Sequence, residues 1–101
     1  MSKADPRITY QPMVTALVGN TAPTQIVQAN WNRRALIINN IGLAKVALSF
    51  DDSRVTTGTF TLGISVGSSL ILEEPCISGQ AIFAICGATG SQVVYQQATY
   101  T

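Results

Sequence analysis

Short runs of β-branched and aromatic residues, divided by Gly, Asn, Asp and Pro, make up most of this 101-residue chain. No run places apolar residues at the i, i+3, i+4 and i+7 positions of a helix without glycine or β-branched interruptions. Short runs of this kind at close spacing are typical of all-β domains. The pattern predicts an all-β fold, a small antiparallel β-sandwich or jelly roll, with a small barrel as the alternative.

About six to eight strands are expected from the turn signals. In the strand at 45–50, Val46, Leu48 and Phe50 share one face, and in the strand at 59–62 the side chains of Phe60 and Leu62 point inwards. Glycine then interrupts the pattern at 63–67. The other strands are predicted at 24–28, 35–39, 69–73, 80–86 and 92–97.

Two of these strands, at 36–38 and 82–85, are apolar on both faces. A strand of an antiparallel sheet normally shows one face to water, so we expect an outer face of the sandwich to be covered as well. The alternative is that small residues such as Ala81 and Ala84 tolerate exposure.

The sequence predicts an extended N-terminal arm, residues 1–24, and a β-sandwich body, residues 25–101. The first 24 residues contain three of the four prolines. A proline confines the extended stretch 8–18 to a sheet edge or to an arm that lies on something else. An arm that reaches a neighbouring subunit would add contact area without enlarging the core.

Charged residues make up 11% of the chain and its net charge is +1, whereas soluble domains carry about 25% charged residues. A free monomer would normally present more charge to water, so we expect a partner, such as a second copy, to cover part of the exterior. Nucleic acid is not an expected partner because binding phosphates requires a basic stripe. Only Arg33 and Arg34 are adjacent, and this pair is interpreted as facing solvent or a neighbouring subunit at a strand edge.

No membrane or export signal is found: the chain lacks an apolar run of about 20 residues and a signal-peptide core. The two cysteines, Cys76 and Cys86, are not expected to form a disulfide. If residues 69–74 and 80–86 form a hairpin, Cys76 lies at its turn and Cys86 pairs near residue 70, beyond the ~7 Å that a disulfide spans. Two buried free thiols in a reducing compartment are expected instead.

The chain contains no histidine, which removes Ser-His-Asp and Cys-His arrangements and histidine metal sites. The adjacent carboxylates at 51–52 and 73–74 point to opposite faces of a strand, so neither pair can flank a substrate. A calcium site at 51–53 is the alternative to an acidic turn, but the alternating ladder of ligands is missing. The glycines at 63–67 lack the lysine and helix of a phosphate loop. No catalytic residue, cofactor or metal is predicted, and the chain is not expected to be an enzyme.

Four aromatic side chains could stack on a sugar or lie in an interface, where Trp and Tyr are enriched. Trp31 lies in the polar segment 30–34, and it is either a lid on the core or a binding residue. The other three are Tyr10, Tyr95 and Tyr100.

The segment Asn32-Arg33-Arg34-Ala35-Leu36-Ile37-Ile38-Asn39-Asn40-Ile41-Gly42 resembles a strand and turn of small virion proteins of tailed bacteriophages. Three later segments, at 46–50, 67–73 and 79–85, extend the resemblance, which covers about residues 30–95. The departures are Val66, where such proteins often have proline, and Cys86.

The resemblance implies a capsid decoration, or cement, protein that bridges neighbouring coat subunits in the virion. Such a protein acts as a homotrimer on the major capsid protein or other virion proteins, and is assembled in the host cytoplasm. The alternative is a phage tail, fibre or adhesion module that binds a host glycan through an aromatic platform at Trp31 or Tyr95. The expected partner-binding residues are Ile8, Tyr10, Val14 and Leu17 in the arm, and Trp31, Arg33 and Arg34 at the polar edge.

Overall fold

The computed structural model describes residues 8–73, 79–88 and 91–100, with the backbone alone for Ile8 and Tyr100. These residues form strands joined by turns and loops, and among them there is no helix that could cross a membrane. The all-β prediction is confirmed. The strands are β1 (Ile8–Tyr10), β2 (Val14–Leu17), β3 (Thr24–Val27), β4 (Arg33–Asn40), β5 (Val46–Phe50), β6 (Leu62–Ile64), β7 (Ser69–Glu73), β8 (Ile82–Cys86) and β9 (Gln92–Tyr100).

The strands form two antiparallel sheets that pack face to face. In the first sheet β9 and β7 flank β4, and both β1 and β2 pair with the other edge of β9. The second sheet has the order β3-β8-β5-β6. The chain alternates between the sheets at most of its connections, which is the strand arrangement of a jelly roll. The predicted β-sandwich is confirmed.

The core lies between the sheets, where alternate residues of each strand point inwards. Leu36 and Ile38 from β4 and Leu48 from β5 are fully buried there. The prediction that Val46, Leu48 and Phe50 share a face is confirmed, since all three belong to this core.

Residues 8–17, part of the expected arm, run along β9 of their own chain. Pro12 separates β1 from β2, and Gln11 bridges the gap: its backbone N–H donates to the carbonyl of Gln97 (2.8 Å), and its own carbonyl accepts from Gln96 Nε2 (2.9 Å). The segment is therefore extended and forms an edge of the first sheet. Residues 1–7 of the expected arm lie outside the described residues.

The strand predicted at 59–62 is displaced along the chain to β6. Pairing with β5 places Leu48 opposite Leu62 and Ala47 opposite Gly63. The strand therefore continues through Gly63, where the sequence predicted that it would be interrupted. The prediction that Phe60 points inwards is wrong. Phe60 is 37% exposed, and the Lys45 ammonium lies 4.5 Å from the centroid of its ring.

The expected hairpin of residues 69–74 and 80–86 is also wrong. β7 pairs with β4 in the first sheet, whereas β8 lies between β3 and β5 in the second. Cys86 is buried and free, as expected, opposite Val46, and its thiol donates to the carbonyl of Ala88 at 3.0 Å. Cys76 lies outside the described residues.

The loop between β5 and β6, residues 51–61, folds over the outer face of the second sheet. Val55, only 3% exposed, packs there against Ala47, Ile85 and Phe83. Strand β8 is therefore covered on both faces, as its apolar sequence requires, and the cover on its outer side comes from the same chain.

Shortening Val55 to alanine is expected to lower the free energy of unfolding by about 2 kcal/mol, because it removes two buried methyl groups. Val66→Ala is the matched control, since Val66 is 54% exposed, and it should change stability little. Urea denaturation of both variants measures the difference. Equal stability of the two would mean that Val55 does not hold the loop to the sheet.

Candidate interaction surface

The outer face of the first sheet carries large apolar side chains. The strand register places Ile37 opposite Ile71, and side chains on opposed residues share a face. Leu17 and Tyr10 lie on the same outer side, because Leu17 is opposite Gln92 and Tyr10 is opposite Ala98. The outer sheet face is defined here as Tyr10, Leu17, Ile37, Ile71 and Val94.

Three members of the outer sheet face are more than half exposed: Ile71 at 60%, Leu17 at 64% and Tyr10 at 53%. Glu73 is the one charged residue of β2, β7 and β9. An antiparallel sheet that shows one face to water normally places polar residues there. The strand register places Thr15, Asn39, Ser69 and Gln96 on the same face, so the exposed apolar side chains lie among uncharged polar ones.

Trp31 is presented on a tight turn at one end of the sandwich. The backbone N–H of Arg33 donates to the carbonyl of Asn30 (3.1 Å), which closes a β-turn. The Asn30 side chain accepts from the N–H of Asn32 (3.0 Å), which adds an Asx turn. Trp31 is 74% exposed, so it is not a lid on the core. It has the position of a rigid aromatic anchor.

Gly79 packs closely against this turn. Its carbonyl accepts from the N–H of Asn30 at 2.7 Å. A β-carbon added to Gly79 would lie 2.6 Å from Cε3 and 2.8 Å from Cα of Trp31. The close approach of the two segments therefore requires glycine here.

Gly79→Ala is expected to shift the Trp31 turn and to lower the free energy of unfolding by about 1–3 kcal/mol, the usual cost of overpacking. Because Trp31 is the only tryptophan, its fluorescence reports the shift directly. Gly58→Ala is the control, since an added β-carbon there meets nothing within 4 Å. An unchanged emission spectrum in Gly79→Ala would contradict the described contact.

The structure corrects the position expected for Arg33. Its side chain is only 2% exposed, so it faces neither solvent nor a neighbour. Nε donates to Gln97 Oε1 (3.0 Å), Nη1 to the carbonyl of Gln80 (3.0 Å) and Nη2 to that of Gln28 (2.8 Å). Burial lowers the pKa of the guanidinium. Arg33 thus ties three segments together beneath the Trp31 turn.

The other expected partner-binding residues are spread over the first sheet. Val14 is 41% exposed at the sheet edge, opposite Tyr95, and Arg34 is half-buried. The backbone of Ile8 pairs with that of Tyr100, while both side chains lie outside the described residues. Tyr95 packs against the core, so it is not an exposed platform.

The acidic pair at 51–52 forms a turn. The carboxylate of Asp52 accepts two hydrogen bonds from the Arg54 side chain, at 3.0 Å and 2.9 Å, and one from its backbone N–H at 2.9 Å. The hydrogen bonds from Arg54 lower the pKa of Asp52 to about 2. Among the described residues no three acidic or cysteine side chains are grouped closely enough to hold a metal ion. Glu74 lies outside them.

The fold is shared with a solved structure. No protein-family model and no curated protein matches the chain. A solved structure described by the words "Bacillus endospore appendages form a novel family of disulfide-linked pili" is similar, with a TM-score of 0.57 and 15% sequence identity. The match covers 100% of this chain and 94% of that one. At this identity the likeness shows a shared fold alone.

Sequence reasoning missed Ile37, Ile71 and Val94 in the outer sheet face. The apolar alternation of 69–73 is visible in the sequence, but which alternate residues face the core depends on the pairing of β7 with β4. The doubly apolar run 36–38 was the available signal, because it showed that β4 has an apolar outer side.

Proposed function

We propose that this chain is a non-enzymatic structural protein that binds other subunits of a large assembly. The contrast between the two outer faces carries the proposal. Val55 of the loop at 51–61 covers apolar residues of the second sheet, whereas Tyr10, Leu17 and Ile71 on the first sheet are more than half exposed. Complete burial of one such side chain is worth about 1.5–3 kcal/mol. A subunit that covers this face would gain that free energy.

Decoration of a tailed-phage capsid is the form of this function that the sequence resemblance favours. In this role the chain, as a homotrimer, bridges neighbouring subunits of the major capsid protein in the virion. Because it binds the assembled shell and not free coat protein, it stabilises the shell by mass action, roughly RT ln(1 + [L]/Kd) for each site. Trp31, which is 74% exposed on its turn, would supply a further anchor.

Co-sedimentation with purified expanded capsids, compared with free coat protein, tests the decoration role. The chain should pellet with the capsids, saturate at a fixed number of copies per shell and leave free coat protein unbound. Absence of binding to capsids, together with a monomeric state in solution, would contradict the proposal.

A pilus-type subunit is the second candidate, favoured by the fold shared with the structure described as disulfide-linked pili. Such a subunit would assemble from copies of itself without coat protein. Cys86 is buried, so a disulfide between copies would have to use Cys76. Filaments that dissociate in Cys76→Ser but persist in Cys86→Ser, seen by negative-stain microscopy, would favour this candidate over decoration.

The glycan-binding alternative, in a phage tail, fibre or adhesion module, would use Trp31, because Tyr95 packs against the core. A glycan array probed with the wild type and Trp31→Ala separates it from the assembly role. Signals that disappear in Trp31→Ala would support the alternative, and an array without signals would remove it.

A further inference from the structure

A cleft of about 460 Å³ lies between the loop at 51–61 and the outer face of the second sheet. Its volume is within the range of about 300–1,000 Å³ that is usual for small-molecule sites. The lining includes Asp52, Arg54, the ring of Phe60 and the hydroxyl residues Ser49, Thr59 and Thr61. One aromatic ring, one ion pair and three hydroxyl groups therefore meet at one place.

The ion pair makes the cleft polar, and the pair itself is electrically neutral. Arg54 Nη2 lies 2.9 Å from Asp52 Oδ2. The carboxylate takes two of the five N–H donors of the guanidinium, and its own oxygens retain acceptor capacity. A phosphate or a metal ion would gain little from such a compensated pair. A neutral ligand that both donates and accepts hydrogen bonds fits it better.

Phe60 supplies the apolar part of the cleft. It is 37% exposed, and Lys45 occupies one side of the ring. Aromatic faces carry a partial negative charge that attracts polarised hydrogens. The C–H face of a sugar ring presents such hydrogens, and its rim presents hydroxyl groups.

The loop is held in place before any ligand arrives. Asp51 has a φ of 54°, a left-handed conformation that is uncommon for a residue other than glycine. The hydroxyl of Ser49 donates to the carbonyl of Asp52. At the loop tip, Thr56 and Thr59 exchange two backbone hydrogen bonds, of 2.8 and 3.2 Å. Strained residues held by their surroundings cluster at ligand sites.

We propose that this cleft binds a neutral saccharide ring, whose C–H face packs on Phe60 and whose hydroxyl groups bond to Asp52 and Arg54. The site goes beyond the assembly role and depends neither on the outer sheet face nor on Trp31. It gives the chain a ligand-binding function on the sheet face opposite to the one proposed to bind subunits.

The test is an NMR titration of the ¹⁵N-labelled protein with glucose, galactose, mannose and N-acetylglucosamine, and separately with inorganic phosphate. At least one sugar should shift the amide signals of residues 49–61, and phosphate should not. Phe60→Ala and Asp52→Asn should each weaken binding of that sugar about tenfold or more. The first removes the ring on which the sugar packs, and the second removes the charged acceptor of its hydroxyl groups. Asp52→Asn leaves Arg54 uncompensated and should make the loop respond to phosphate.

Trp31→Ala and the double variant Leu17→Ser, Ile71→Ser are the controls, and the sugar shifts should persist in both. The double variant is also the test of subunit binding. Sugar shifts that persist in it therefore show that the cleft binds the sugar independently of the outer sheet face. The proposal is overturned if none of the four sugars shifts these signals. It is equally overturned if the shifts survive both Phe60→Ala and Asp52→Asn.

Discussion

Arg33→Met is expected to lower the free energy of unfolding by about 3 kcal/mol, because it breaks a polar network around a buried guanidinium. The guanidinium is the hydrogen-bond donor to the carbonyls of Gln28 and Gln80 and to the side chain of Gln97. Methionine fills most of the space but donates to none of them. The three acceptors, which are partly buried, then lose this donor, and a buried acceptor left unsatisfied costs about 1–3 kcal/mol.

Urea denaturation measures the effect, and two variants define its cause. Arg33→Lys keeps the charge but lacks the planar fork that reaches three acceptors, so it should also be destabilised. Arg54→Met removes an arginine whose side chain is 88% exposed and should change stability little. If Arg33→Met unfolds at the same urea concentration as the wild type, the guanidinium does not hold the three segments together.

The double variant Leu17→Ser, Ile71→Ser is expected to weaken binding to the partner subunit at least about 100-fold, because two apolar side chains no longer leave water. Its stability as a separate chain should hardly change, since both side chains are already more than half exposed. The affinity is measured by co-sedimentation with capsids or, for copies of the chain, by sedimentation equilibrium.

The matched control for this variant is Leu43→Ser, Val66→Ser. Leu43 is 75% and Val66 54% exposed, but both lie in connections between strands and not in the strands of the first sheet. This control should bind like the wild type. Equal weakening in both double variants would indicate a general effect of surface polarity and would contradict a specific role of the outer sheet face.

The sandwich was predictable because its strands have strong local signals. The apolar alternation of Val46, Leu48 and Phe50 identifies β5 and its inner face, and the uninterrupted run 82–85 identifies β8. Asn40 then marks the end of β4. Its side chain donates to the carbonyls of Ala44 and Ile64, both at 2.9 Å, and accepts from the N–H of Gly42, which fixes the predicted turn.

The pairing of the strands could not be derived from these local signals. Neighbours in sequence such as β7 and β8 were expected to form a hairpin, but in a jelly roll the chain crosses between the sheets at this point. The register of β6 was displaced for a related reason. The apolar alternation of Phe60 and Leu62 fits a strand as well as that of Leu62 and Ile64. Only pairing with β5 selects the second pair.

The candidate site was predictable in part. For Trp31 the sequence left a core lid and a binding residue open, and its exposure of 74% decides against the lid. Arg33 beside it was expected to face solvent or a neighbouring subunit. Its burial depends on acceptors at 28, 80 and 97, which the fold alone brings together. The low total charge predicted that part of the surface is covered, but not which part. In the structure, the loop at 51–61 packs on the second sheet, and apolar side chains of the first sheet stay exposed.

Native mass spectrometry of the purified chain, alongside the Leu17→Ser, Ile71→Ser variant, tests most directly whether the outer face of the first sheet binds another subunit. The wild type should form a homo-oligomer, with a trimer expected from the decoration role, and the variant should be monomeric with an unchanged fold. A wild type that stays monomeric at every concentration, and whose binding to capsids equals that of the variant, would contradict this account.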